Sequence, residues 1–182
     1  MGHRSLVLKT APATQIVSTA DMKTYLQVDD ATDDTEITEA IVASRQAIES
    51  YTGRSLINTV WNLWLDGWPR DKSAENPPEG VHNLPINSFD EPLRYIVIPR
   101  PQLVSVASVK YYDTDDTVAT FSSTKYFVDT KSEHGRVCLN DGENWPTVLL
   151  RPHNAIDIEF TGGYGTATTD IPDAGLLAMK PR

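Results

Sequence analysis

TEITEAIVASRQAIESY at residues 35–51, TGR at 52–54 and VWNLWL at 60–65 decide the fold, because they join a helix to a strand within a few residues. Ile37, Ile41, Ile48 and Tyr51 recur at offsets of four, seven and three, on one face of a 3.6-residue period, while Glu36, Glu39, Arg45 and Glu49 occupy the remainder. A helix with one apolar face needs a partner to cover it. Gly53 supplies the left-handed residue that closes such a helix, and from Asn58 the pattern changes to that of a strand buried on at least one side. Ile37, Ile41, Ile48, Tyr51, Trp61 and Trp64 are therefore expected to be core or interface anchors, with Trp61 and Trp64 on opposite strand faces.

Toward the N-terminus, Ser18-Thr19-Ala20-Asp21 has the polar cap and early acid of a helix start, with Met22, Tyr25 and Leu26 as its apolar face. The acids of the loop 29–34 sit where the main helix begins, and carboxylates are favoured beside its unpaired amides. They do not make a calcium loop, since the central Gly and the distal chelating Glu are missing at the required spacing.

Toward the C-terminus, Pro69 to Pro92 holds five prolines without helical or strand periodicity. Loops of this length are functional contacts or disordered segments, so Val81, Leu84, Ile86 and Phe89 are candidate partner contacts. Strands are predicted over 95–99, 103–112, 118–121, 126–129, 135–139 and 155–160, at the spacing of a small sandwich or barrel. A tight turn is expected at Gly162-Gly163-Tyr164-Gly165, and a helix start at Asp173.

The 182 residues carry a net charge of -9 with a pI near 4.8, which argues against a surface that grips phosphates through clustered Lys and Arg. Acidity is compatible with a conduit along which a polyanion slides without sticking. The single Cys138 cannot form an intrachain bridge or a metal knuckle and reads as a buried strand thiol. No apolar run reaches membrane-spanning length, and residues 1–10 lack the apolar region of a signal peptide, so a soluble, intracellular chain is expected.

Catalytic patterns are lacking. The Gly-rich turn has neither dinucleotide nor phosphate-loop spacing, and His3, His82, His134 and His153 are too scattered for metal-ligand spacing. Asp129, Ser132 and His134 are neighbours in sequence only, without a nucleophile elbow. No catalytic residue, cofactor or metal is expected.

The ordered set of features resembles the head-tail connector, or adaptor, proteins of long-tailed phages and prophage-like particles, over about residues 15 to 175. The resemblance rests on the helix 18–26, the acidic helix ending in Tyr51-Thr52-Gly53-Arg54, the Trp strand closing on Trp68-Pro69, and Ile98-Pro99-Arg100-Pro101. It continues through Tyr111-Tyr112-Asp113, Tyr126-Phe127-Val128-Asp129, Trp145-Pro146, and Phe160 to Gly165 followed by Ile171-Pro172. It implies a non-enzymatic virion protein at the head-tail junction, assembled in the host cytoplasm as a ring, usually of twelve copies. The ring would lie beneath the portal protein, meet a tail-side connector, stopper or tail terminator protein, and let DNA pass without specific binding. Members normally continue past the Ile-Pro with helices that grip the portal, so a truncated C-terminal helical tail is expected here.

The expected fold class is α+β: an N-terminal helical unit over 1–54, a small antiparallel β domain over 55–165 with the loop 69–92, and the start of a helix in 166–182. The alternative is a β-sandwich carbohydrate-binding or tail-fibre-type module using Trp61, Trp64 or Trp68 as platforms.

Overall fold

The structure, a computed structural model, describes residues 4–69 and 94–171. The expected contacts Val81, Leu84, Ile86 and Phe89, and the tail from Pro172, lie outside these residues. Within them the fold is α+β, with two helices and two antiparallel sheets.

Helix α1 spans Thr19–Leu26, and its cap is the expected Ser18, whose Oγ accepts from the Asp21 amide at 3.0 Å. Helix α2 spans Asp34–Thr52 and ends at Gly53 with φ of 66°. Lys23 Nζ meets Asp34 Oδ1 at 2.6 Å and ties the two helices together. Met22 packs beside Ile16, Val17, Leu56, Ile57 and Ile171, whereas Tyr25 and Leu26 stay half-exposed.

The buried face of α2 differs from the one read in the sequence. It is Ile37, Ile41, Arg45 and Glu49, at strict four-residue spacing, with Ile48 half-buried against the Ile16 cluster. Tyr51 is 94% exposed and is not a core residue. Successive residues turn by about 100°, so Tyr51, two positions past Glu49, points to the opposite side of the helix. Arg45 and Glu49 are only 5% and 7% exposed, and they replace apolar burial with a salt bridge of 2.7 Å.

The larger sheet has the order β1-β2-β8-β4-β5 and the smaller one the order β3-β7-β6. The larger comprises β1 Arg4–Thr10, β2 Thr59–Leu65, β8 Ile156–Gly162, β4 Leu103–Tyr112 and β5 Val118–Thr120. The smaller comprises β3 Tyr95–Val97, β7 Arg136–Leu139 and β6 Tyr126–Asp129. Strand β1 has no counterpart in the sequence reading, and it carries residues 4–10 of the expected helical unit 1–54 into the sheet. Only Leu6 and Leu8 alternate there, too short a pattern to stand out without β2 beside it.

Between the sheets lies one apolar core. Leu63, Val109, Ile156, Ile158 and Phe160 come from the larger sheet, and Ile96, Val137, Leu139 and Tyr126 from the smaller. Trp68 stacks on Trp145 at 4.8 Å between ring centroids, with Phe121 against both. Cys138 points to the outer side of β7 and is half-buried rather than buried, because its neighbours Val137 and Leu139 take the core side. The Gly162–Gly165 turn requires glycine at 163, where φ is 149° and a Cβ would approach the Asn58 backbone nitrogen to 2.5 Å.

Candidate functional site

A dense and partly buried polar arrangement lies at the seam where α2 runs into the sandwich. Glu49 reaches in two directions: Oε2 accepts from Arg45 Nη1, and Oε1 accepts from the Leu56 amide at 2.8 Å. Arg100 closes the seam from the β side. Its Nη1 donates to the carbonyls of Glu49 at 2.6 Å and Arg54 at 3.2 Å, a cation at the end of α2 where unpaired carbonyls and the helix dipole favour it. The Arg100 guanidinium also lies 4.7 Å from the Trp61 ring centroid, and Trp61 Nε1 donates to Ser55 Oγ at 3.0 Å. Arg54 donates to the Tyr164 hydroxyl at 3.2 Å and to Glu133 at 2.6 Å, tying the linker to the Gly-rich turn. These contacts fix the helical layer's orientation against the sheets, which is the property a scaffold needs.

Arg45, Glu49 and Arg100 were not singled out from the sequence. Charged residues on a helix read as solvated, and nothing local signals that two of them pair in a dry seam. Trp61 and Trp64 do lie on opposite faces of β2. Trp61 packs on the core, and Trp64 lies 6.0 Å from Tyr112 on the outer side, with the Arg151 guanidinium 4.0 Å from the Tyr112 centroid. Each of the four indoles is engaged with a side chain of the chain itself.

Asp129, Ser132 and His134 do not form a triad. The Asp129 carboxylate accepts from Ser132 Oγ at 2.6 Å, from Arg136 Nη2 at 2.7 Å and from the Lys131 amide at 3.0 Å. These bonds, led by that from Ser132, hold its pKa well below the ordinary 3.8. A depressed carboxylate stabilises the fold above its ordinary pKa and ceases to as pH falls through the folded value. In an acid titration followed by NMR, the Lys131 and Ser132 amides are therefore expected to keep their native shifts down through about pH 4 and to move only below it. Asp129→Asn should abolish that transition. Among the described residues no cluster of three His, Cys, Asp or Glu could hold a metal ion, and no helix is long and apolar enough to cross a membrane.

Residues 17–96, which carry both helices, the seam and β2, match the family of phage gp6-like head-tail connector proteins. Over that stretch the chain is similar to the head-tail connector family. The likeness of fold extends further. The chain superposes on one in the neck of an empty GTA particle computed with C6 symmetry, with a TM-score of 0.71 at 17% identity, covering 96% of this chain and 82% of that one. A chain in the virion of a native gene transfer agent particle gives 0.66 at 17% identity over 96% and 81%. One in the neck of a native GTA particle computed with C12 symmetry gives 0.60 at 16% over 95% and 80%. No curated protein sequence matches this chain.

Proposed function

We propose that this protein is a structural, non-enzymatic component of the head-tail junction of a phage-like particle. It forms a closed ring, twelve copies by the family resemblance, beneath the portal protein and above a tail-side connector, stopper or tail terminator protein, and DNA passes through the ring. The observation that carries this reading is the neck-chain fold over nearly the whole chain, joined to the connector match over residues 17–96. Assembly in the host cytoplasm precedes incorporation into the virion.

A ring of identical copies uses heterologous contacts, in which one patch meets a different patch on the next copy. The seam supports such a role by making the helical layer and sandwich one body, so that a contact made by either is transmitted to the other. Tyr51, standing out from the end of α2, suits an interface anchor of this kind. Val81, Leu84, Ile86 and Phe89 are proposed contacts to the next ring. Shortening 70–87 should leave the melting temperature unchanged but block attachment to particles; full attachment by the shortened chain would remove the loop from the interface.

With a net charge of -9, the protein is expected to show no measurable affinity for duplex DNA at physiological salt. Fluorescence anisotropy tests this directly, and micromolar binding that weakens steeply with salt would contradict a passive conduit. Assembly itself is tested by negative-stain microscopy of the purified protein, alone and mixed with the portal and tail-side products encoded beside it. We expect monomers or loose associations alone and rings on the portal, since a template holds marginal interfaces at high effective concentration. A discrete dimer that never joins portal would overturn the reading.

A further inference from the structure

Among the described residues the larger sheet ends on two open edges. On one side β1 pairs with β2 through one edge, and among the described residues no strand borders its other edge, from Arg4 to Thr10. On the other side β5 covers only part of β4: the ladder pairs Lys110, Tyr111 and Tyr112 with Thr120, Ala119 and Val118, and the Phe121 amide donates to the Val109 carbonyl. Among the described residues no strand borders Leu103 to Ser108 on that side. Two edges of nearly equal length thus face outward at opposite ends of the sheet, each with unpaired amides and carbonyls that template strand addition.

We infer that β1 of one copy adds to the open Leu103–Ser108 edge of β4 in a second copy, continuing the sheet from subunit to subunit. Three features fit this occupant. The first is direction. From β1 through β2 and β8 to β4 every neighbour is antiparallel, so the four strands alternate and β4 runs opposite to β1. A copy rotated about an axis roughly along the strands brings its β1 to β4 in antiparallel sense, and the alternation repeats without a break.

The second feature is the side-chain pattern. Leu6 and Leu8 pair with Leu63 and Trp61 on the core side of the sheet, yet Leu8 is 48% exposed because the sheet stops there. At the other edge Val106 lies on the core side opposite Phe160, and Val104, in the register irregularity next to it, is 44% exposed. Joining the edges places these apolar residues together, while Val7 falls beside Ser105 and Ser108 on the outer side.

The third feature is charge. Between Ser5 and Leu8 on one edge and between Leu103 and Ser108 on the other there is no charged side chain and no proline, two of the devices that keep an edge from pairing, although β4 is irregular between Leu103 and Ser105 and between Val106 and Ser108. Lys9, just beyond, is occupied by Glu159 at 2.6 Å. The junction is heterologous, as a ring demands, and the ring reading is what this inference deepens. A single strand junction buries less than a stable complex needs, in keeping with rings that close only on a template.

The test is disulfide trapping in a Cys138→Ser background. One batch carries Val7→Cys, a second Ser105→Cys or Ser108→Cys, and a control batch Thr32→Cys in the exposed loop before α2. Mixed under a mild oxidant, the Val7→Cys protein should cross-link to the Ser105→Cys or Ser108→Cys protein at least about tenfold faster than to the control, since even a weak interface raises the local thiol concentration. Equal rates overturn the inference, as does faster linkage of Val7→Cys to itself, which would place β1 against β1. If cross-linking fails while rings still form on the portal, the strand junction is lost and the connector role stands.

Discussion

Glu49→Ala is expected to lower the stability of the fold by about 3–5 kcal/mol, because it leaves a buried charge without its partner. Arg45 is as buried as Glu49, and its Nη1 would face a space where the carboxylate had been. The Leu56 amide loses its acceptor in the same step. At about 2–4 °C per kcal/mol for a domain of this size, the melting temperature should fall by roughly 6–20 °C. Glu49→Gln keeps an oxygen for either donor and should lose less, whereas replacing Arg45 and Glu49 together by Met and Leu should recover part of the loss by removing both charges. Differential scanning calorimetry of the three variants decides it: a Glu49→Ala protein that melts with the wild type would mean that the seam does not hold the helix.

Ile41→Asp is expected to do as much harm by the opposite route, since it puts an unpaired carboxylate into a site that is 2% exposed. Burying that charge costs several kcal/mol, a large share of the ~5–15 kcal/mol by which a domain is stable, so the helical layer should unfold. Ala40→Asp, one position along on the exposed side of α2, is the matched control and should melt like the wild type. Circular dichroism separates the two. Equal melting of both variants would show that Ile41 does not face the interior.

The sequence made the sandwich readable where a strand announces itself by alternation or by a flanking turn. Leu103 to Tyr112 forms a strand over its full predicted length, and Ile156, Ile158 and Phe160 face the core as their period of two requires. Gly53 closes α2, and Ser18 caps α1, for local steric and hydrogen-bonding reasons that need no tertiary context. Features that depend on distant partners were not legible. Arg45 and Glu49 look like a solvated pair until Leu56 and Arg100 arrive from beyond the helix, and Tyr51 looks like a core aromatic until Glu49 takes the inward position. Strand β1 needs β2 to exist at all, and its open edge is invisible until the order of the sheet is known. The seam that orients the two layers thus lay beyond local pattern, whereas the succession of helices and strands that carries the resemblance to connector proteins did not.

If the protein joins a filled head to a tail, as proposed, its removal from an assembling particle should leave the two unjoined. Electron microscopy of particles produced without the protein should show DNA-filled heads and separate, complete tails, and adding the purified protein back should restore joined particles. Normally tailed particles in its absence would contradict the account.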